Sequence, residues 1–459
     1  MSLSTQQIAT LVATIAIVVL SVHAVGGLFA RYRQPAVVGE ILVGLLFGPT
    51  VLGLLAPDVQ HLLFPKTGPV TAILAGLAQL GMLLLMFLTG SELRLAPGVR
   101  DRRTIGLVSL VGLVLPFAIG FAVVSAMDYR GLAGPAGSRT TTVLVFAIAV
   151  AVTSIPVISR ILLDLGLLGG SFARIVLSVA ALEDVALYVV LAVVLSLASA
   201  SSTEFGLWEL VGVQATGWTV TYHVVMTAAF LAAFVLRGTA VLRFVLYGPF
   251  RALARRNPTA YRLALLMIAV LLCAILGINP IFGALITGIC ARRAEPESAP
   301  VDGTEATAKT VDSWATIRDF SLAFFIPIYF FTVGLGLDLV HDFDVLFFVW
   351  FLVLCCVVKM VSVLVGARLA GQPLRWSIDL SVALNARGGP GIVLATIALG
   401  AGVVNRSFYT SMVLLSVLTS QMAGTWLERR VSALRERDRI TQNPEWATAE
   451  PAVAGSSTR

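Results

Sequence analysis

Residues 177–194 read LSVAALEDVALYVVLAVV, an apolar run with two adjacent carboxylates, Glu183 and Asp184, near its centre. With its apolar flanks the run is long enough to cross the hydrocarbon core of a bilayer, which takes about 20 residues of helix. Inserting an acid at the centre of such a helix costs roughly 2.5 to 3.5 kcal/mol. The stretch therefore predicts a membrane helix whose acids are either paired in the interior or functional.

The composition of the whole chain agrees with this prediction. The 459 residues are 58% hydrophobic and only 12% charged, and the mean hydropathy is +0.93. Soluble domains carry about 25% charged residues, so most of the apolar surface of this chain must face lipid. Soluble enzymes, nucleic-acid-binding proteins and disordered regulators are excluded. The sequence contains no HExxH, no GxSxG and no GxGxxG after a strand pattern, so we expect no enzymatic activity, no cofactor and no nucleotide.

Apolar runs of spanning length predict an all-α polytopic membrane protein with about 13 transmembrane helices. They lie near residues 6–30, 36–55, 70–91, 104–127, 141–163, 172–199, 208–236, 261–278, 281–291, 318–337, 345–367, 376–402 and 407–427. The run 281–291 is short enough for a half-span. Most Lys and Arg residues fall in every second loop, which means on one side of the membrane. Cytoplasmic loops carry the excess of Lys and Arg, so the N-terminus is placed outside and the C-terminus in the cytoplasm. We expect a membrane domain over 1–430 and a partly disordered cytoplasmic tail over 431–459.

Four ionisable side chains lie deep inside predicted spans. They are Glu183, Asp184, Lys359 and Arg387. Adjacent residues on a helix point about 100° apart, so the two acids cannot share one pocket equally. Burial disfavours a bare carboxylate, and either a proton or a bound cation can neutralise it. The four groups therefore predict an ion or proton pathway, and the alternative is a structural ion-pair network.

Two spans contain helix-breaking sequences. The run AVAVTSIPVISRIL (149–162) carries Thr153, Ser154 and a proline, and LNARGGPGIVLA (384–395) carries a Gly-Gly-Pro-Gly sequence. Paired interruptions in the two halves of a chain indicate a transporter's midplane site. They predict two inverted repeats, about 6–200 and about 261–427, joined by a linker helix at about 208–236. Two ordinary kinked helices are the alternative.

Five stretches of the chain resemble segments of a known family. The stretches that carry the resemblance are RYRQPAVVGEILVGLLFGPTVLG (31–53), LGMLLLMFLTGSELRL (80–95), TSIPVISRILLDLGLL (153–168) followed by the two acids, FFIPIYFFTVGLGLDL (324–339) and ARGG (386–389). In this order they are similar to the monovalent cation/proton antiporter superfamily, in its second, Kef-type branch. The resemblance implies a sodium/proton antiporter-like fold and a cytoplasmic-membrane exchanger of Na⁺ or K⁺ for protons.

The resemblance also implies roles for single residues. Asp184 matches the acid that binds the cation and the proton alternately. Glu183 matches the preceding position, which pairs with Lys359 in relatives with charged pairs. Glu183 replaces the commoner Asp, Asn or Gln, which leaves the transport stoichiometry open.

The remaining implied roles concern the interrupted helices. Thr153 and Ser154 match ligands of the unwound stretch, and Arg387 matches the arginine of the second interruption. Gly389 stands where many relatives carry Glu, which leaves the choice between Na⁺ and K⁺ open. The family further implies a homodimer whose core moves like an elevator in the lipid bilayer. Two alternatives stay open, namely proton-coupled efflux of an organic compound and a Kef-type potassium efflux channel.

Overall fold

The structure, a computed structural model, describes the membrane part of the chain with gaps. The described residues are 4–32, 34–65, 67–92, 101–155, 170–199, 232–247, 256–294 and 305–436, with the single positions 158, 161, 162, 165, 167, 222, 225, 226, 229 and 230. Within them every regular element is helical, apart from one isolated bridge between Ala133 and Val404.

The helices are numbered here in chain order. They are α1 (Thr5–Arg31), α2 (Ala36–Phe47), α3 (Leu52–Leu55), α4 (Pro57–Leu63), α5 (Pro69–Glu92), α6 (Arg102–Ala126), α7 (Arg139–Ala151), α8 (Ser171–Ser199), α9 (Thr239–Tyr247), α10 (Pro258–Ile275), α11 (Pro280–Ala294), α12 (Glu305–Phe320), α13 (Ile326–Leu335), α14 (Val345–Leu369), α15 (Leu374–Ala383), α16 (Gly389–Gly400) and α17 (Arg406–Glu436). A 3₁₀ turn at Tyr129–Gly131 precedes α7, and π-helical turns at Phe234–Gly238 and Ser321–Phe325 precede α9 and α13.

The helical membrane architecture is confirmed. Eight of the described helical segments are long and apolar enough to cross a membrane, and α7 and α16 are shorter apolar helices. The count of about 13 spans stays a prediction, because most of the predicted linker helix at 208–236 lies outside the described residues. The tail beyond 436 also lies outside them. The short run 281–291 extends to the 15 residues of α11. The last span continues as one helix to Glu436, past the predicted start of the tail.

Helix packing divides the described part of the chain into two bodies. The first body contains α1–α5 and α9–α13, and the second contains α6–α8 and α14–α17. Each helix makes its main backbone contacts within its own body, and buried apolar side chains of both bodies join in one hydrophobic core. Both broken spans and the acid-bearing helix α8 belong to the second body.

Glycines allow the closest helix crossings in the first body. A Cβ atom on Gly44 of α2 would overlap the backbone of α13, and one on Gly334 of α13 would overlap the backbone of α2. Gly90 of α5 and Gly288 of α11 clash reciprocally in the same way. The sequence separation between Gly44 and Gly288 equals that between Gly90 and Gly334. The two crossings therefore have the same register, and the two inverted repeats stay a prediction.

A backbone clasp joins the loops that lead into α7 and α17. The N–H of Gly134 donates to Val403 O (3.0 Å), and the N–H of Ala136 donates to Gly402 O (2.8 Å). Gly402 has a φ of +67°, which a residue with a Cβ rarely adopts. The clasp joins the loop before α7 to the loop after α16. The two interrupted spans are therefore connected at their loops as well as at their interruptions.

Candidate functional site

The first interruption begins where α7 ends. Ser138 and Thr141 start this helix with a reciprocal capping box, and Ala151 ends it. Val152 is extended, with φ −62° and ψ 142°, and Thr153 and Ser154 are also non-helical. The last carbonyls of a helix have no intrahelical donor, so the end of α7 presents bare carbonyl oxygens in the interior. The proline of the predicted break, Pro156, lies outside the described residues.

The second interruption lies a few residues earlier than the Gly-Gly-Pro-Gly sequence predicts. Helix α15 ends at Ala383, and residues 384–388 are non-helical. Helix α16 already begins at Gly389, with Pro390 in its first turn. A proline fits there because the first helical N–H groups need no intrahelical acceptor. The Gly-Pro-Gly part of the motif therefore starts a helix, and the break itself is formed by Leu384 to Gly388.

Glu183 and Lys359 form an ion pair with no exposed surface. Lys359 Nζ lies 2.8 Å from Glu183 Oε2. The same ammonium donates to Gly112 O (2.9 Å) on α6 and to Ala151 O (2.8 Å) at the end of α7. An ammonium has three donors, and all three are used. The ion pair that the family resemblance implies is present, and it also satisfies one of the carbonyls left by the first interruption.

Thr153 connects the two interruptions. Its Oγ1 lies 2.7 Å from Glu183 Oε2 and 2.9 Å from the backbone oxygen of Leu384. One hydroxyl proton can serve only one acceptor at a time, so the hydroxyl donates to the carboxylate or to the carbonyl. Thr153 therefore links the acid on α8 to the backbone of the second interruption.

Arg387 binds neutral acceptors only, within the described part of the chain. Its Nη2 donates to Val150 O (2.8 Å) and Cys355 O (3.2 Å), and its Nη1 donates to Asn385 Oδ1 (3.0 Å). Its Nε has no hydrogen-bond partner among the residues that the structure describes. Arg387 and Lys359 thus place two positive charges at the C-terminal end of α7, which is the negative end of the helix dipole.

Asp184 lies outside the Glu183–Lys359 hydrogen-bond network, as expected from the angle of about 100° between adjacent residues of a helix. It is 2% exposed, and neither carboxylate oxygen has a hydrogen-bond partner among the described residues. The backbone N–H of Ile155 interacts with the carboxylate without reaching hydrogen-bond geometry. Ser154 Oγ is also buried and unpartnered. A buried carboxylate without a donor is costly, so Asp184 is the charged group of the site that most needs a ligand.

A narrow cavity adjoins Asp184. It has room for about one water molecule and lies between α7, α8 and α16. Its lining consists of Asp184 and six apolar residues, namely Ile148, Val152, Leu187, Leu191, Pro390 and Leu394. Val152 belongs to the first interruption and Pro390 follows the second. Asp184 therefore meets the cavity where the two interrupted spans approach each other.

The structure brings all six predicted site residues into one cluster of the second body. Four of them, Glu183, Lys359, Thr153 and Arg387, are connected by direct hydrogen bonds or by the shared end of α7. Sequence reasoning missed Gly112 and Asn385. Asn385 had a visible signal, because it is an amide inside a predicted span. Gly112 contributes a backbone oxygen, and a backbone oxygen leaves no mark in a sequence.

Three further ionisable residues lie outside the cluster. Asp379 lies near the start of the predicted span 376–402, yet it is 2% exposed. It accepts from Trp426 Nε1 (3.2 Å) and Arg430 Nε (3.0 Å) of α17, and these donors allow its burial. His23 Nε2 lies 2.7 Å from Ala323 O, and the residue is exposed. Glu40 lies in α2 of the first body, apart from the cluster.

No group of three or more metal-binding side chains occurs among the described residues. The four cysteines are buried and form no disulfide with one another. The side chains of the cluster are instead oxygen donors and fixed cations. Oxygen ligands suit hard cations, and carboxylates can also carry protons.

Comparison with known proteins assigns the family. The sequence profile of the transmembrane sodium/hydrogen exchanger family matches residues 15–432. The chain belongs to this family. It is 27% identical over 427 residues to the Na⁺/H⁺ antiporter NhaS4 of Synechocystis, covering 91% of this chain and 96% of the relative. It is 27% identical over 408 residues to K⁺/H⁺ antiporter 1 of Saccharomyces cerevisiae, covering 85% of this chain and 43% of that protein.

A solved structure supports the fold of this exchanger. The sodium proton antiporter MjNhaP1 of Methanocaldococcus jannaschii superposes with a TM-score of 0.61 at 11% identity, over 93% of this chain and 99% of the other. The antiporter-like fold predicted from the motifs is confirmed. The Kef-type branch stays a prediction. The chain spans less than half of the yeast relative, so that relative's activity as a whole does not transfer directly.

Proposed function

We propose that this exchanger moves Na⁺ or K⁺ in one direction and protons in the other across the plasma membrane. Asp184 is the acid that binds the cation and the proton in turn. The observation that carries the proposal is the state of the Asp184 carboxylate, which is buried, adjoins a cavity and has no hydrogen-bond partner among the described residues. A cation or a proton bound there removes the cost of the buried charge.

The other site residues have supporting roles in this proposal. Glu183 and Lys359 neutralise each other, and Arg387 holds the carbonyls of Val150 and Cys355. Ser154, with its unpartnered hydroxyl, and Thr153 are candidate oxygen ligands that complete the shell of a desolvated cation. A bound proton and a bound monovalent cation carry the same charge, so either cargo leaves Asp184 equally neutral. Competition for one carboxylate couples the two fluxes.

Alternating access follows from the division into two bodies. The whole cluster and its cavity belong to the second body, so a displacement of this body carries the site with it. Among the described residues, the polar contacts between the bodies include Tyr329 OH to Thr396 Oγ1 and Tyr409 OH to Val333 O, each 3.4 Å long. The apolar core that the bodies share has no directional bonds to break, which supports an elevator-like movement against the glycine-packed first body, which we place at the interface of a homodimer.

The orientation is also part of the proposal. The excess of Lys and Arg in every second loop supports an N-terminus outside and a cytoplasmic C-terminus. The alternatives are proton-coupled efflux of an organic compound and a potassium channel. The cavity at Asp184 has room for about one water molecule, which favours an inorganic cation over an organic substrate.

The experiment uses proteoliposomes that contain the full chain and carry a preformed pH gradient. Adding Na⁺ or K⁺ should dissipate the gradient saturably, and Asp184→Asn should abolish the response. The exposed Asp58 provides the control, because Asp58→Asn makes the same chemical change away from the site. Normal exchange by Asp184→Asn would rule out the site. Proton-driven export of an organic compound without any cation response, or a flux that does not saturate, would rule out the activity.

A further inference from the structure

The side chain of Glu183 packs directly against a glycine of the neighbouring helix. Gly112 lies in the middle of α6 and is buried. A Cβ atom at this position would lie 2.8 Å from Glu183 Oε1 and 3.2 Å from Val363 Cγ2. Carbon does not approach a carboxylate oxygen that closely without displacing it. Because Gly112 has no side chain, Glu183 Oε1 occupies the space that a Cβ atom at position 112 would fill.

The backbone of the same glycine binds the partner of Glu183. Gly112 O accepts one of the three hydrogen bonds of the Lys359 ammonium, at 2.9 Å. Residue 112 thus leaves space for the acid because it lacks a Cβ, and it binds the base through its carbonyl. These two observations are independent, because one concerns the space around Oε1 and the other concerns a hydrogen bond to Nζ.

We propose that Gly112 is a positioning residue of the exchange site, which keeps the Glu183–Lys359 pair closed so that Asp184 is the acid that exchanges cations and protons. This inference rests on the proposed function. A side chain at position 112 pushes the Glu183 carboxylate away from Lys359 and turns it into a second acid that titrates. The charged groups around Glu183 are Lys359 on α14, Arg387 in the second interruption and Asp184 on its own helix.

The test compares glycine-to-alanine substitutions at three positions. Gly112→Ala should shift the pH at which exchange is half-maximal by about one unit, a tenfold change in proton affinity. Gly106→Ala is the neutral control, because no atom of a neighbouring described element lies within 4 Å of the added Cβ. Gly238→Ala is the packing control, since its Cβ would lie 2.8 Å from Cys290 Sγ in the first body, away from the site. Both controls should keep the wild-type pH profile.

A double-mutant cycle separates positioning from general damage. In a Glu183→Gln background the Gly112→Ala substitution should no longer shift the pH profile, because the displaced group cannot ionise. The melting temperature of the purified protein should show the same coupling, with a smaller loss in that background. A wild-type pH profile for Gly112→Ala, or an equal shift in the Glu183→Gln background, would overturn the inference.

A second route applies if Gly112→Ala does not fold. Gly112→Ala/Val363→Ala removes the contact on α14 and leaves only the contact with Glu183. It should fold and show the shifted profile, and its failure to fold while Gly238→Ala folds would contradict the proposal. The melting-temperature coupling needs no transport activity. A wild-type protein without cation/proton exchange would therefore refute the proposed function and still leave the coupling of residues 112 and 183 measurable.

Discussion

Lys359 Nζ lies 2.8 Å from Glu183 Oε2, and neither side chain has any exposed surface. Two further hydrogen bonds join the ammonium to backbone oxygens of α6 and α7. The charges of a buried ion pair compensate each other only while both residues are present. Removing one residue leaves the charge of the other buried without a partner. The pair therefore fixes the relative position of α6, α7, α8 and α14 as well as the charge of the site.

The first prediction concerns this pair. Lys359→Met should lower the free energy of unfolding by about 3 to 5 kcal/mol, because Glu183 is left buried without its cation. The double variant Glu183→Gln/Lys359→Met should recover most of that loss. Thermal melting of wild type, Lys359→Met and the double variant in detergent gives the comparison. Equal melting temperatures for wild type and Lys359→Met would mean that the pair is not closed.

The second prediction concerns the hydroxyl that joins the two interruptions. Thr153→Val should cost about 1 to 3 kcal/mol of stability, because the acceptor of the hydroxyl, Glu183 Oε2 or Leu384 O, loses its donor in the interior. Thr153→Ser keeps the hydroxyl and should stay close to wild type in melting temperature and in cation affinity. A Thr153→Val protein that equals Thr153→Ser in both measurements would show that the hydroxyl has no structural or ligand role.

The third prediction separates the charge of Arg387 from its shape. The planar guanidinium reaches Asn385, Val150 O and Cys355 O at once, which an ammonium cannot do with the same geometry. Arg387→Lys should lower the melting temperature, and Arg387→Gln should lower it further because the positive charge beside the acids is also lost. Melting curves and exchange rates of both variants provide the measurement. A Gln variant as stable as the Lys variant would exclude the charge effect.

The fourth prediction concerns the helix crossings of the first body. Gly44→Ala and Gly288→Ala should each prevent recovery of monodisperse protein, because each Cβ would overlap a backbone carbonyl of the crossing helix. Gly76→Ala is the matched control, since nothing lies within 4 Å of its added Cβ. Size-exclusion profiles after detergent extraction provide the readout. Normal recovery of both crossing variants would contradict this close packing.

The sequence by itself determined the class of the molecule and the position of its chemistry along the chain. Long apolar runs require a bilayer or a very large core, and charges inside such runs are too costly to be incidental. Glu183, Asp184, Lys359 and Arg387 could be selected for that reason alone. Helix-breaking residues placed both interruptions to within a few positions, because Pro and Gly act on the local backbone.

Only the tertiary structure decided which of these groups meet. Which acid pairs with Lys359 depends on the faces that α6, α8 and α14 turn towards one another, and local sequence does not encode the rotation of a helix against its neighbours. Asp379 looked accessible because it lies near a span end, yet α17 covers it with two donors. Gly112 contributes a backbone oxygen and the space left by its absent side chain. Neither feature can be recognised in a sequence. Packing alone creates both.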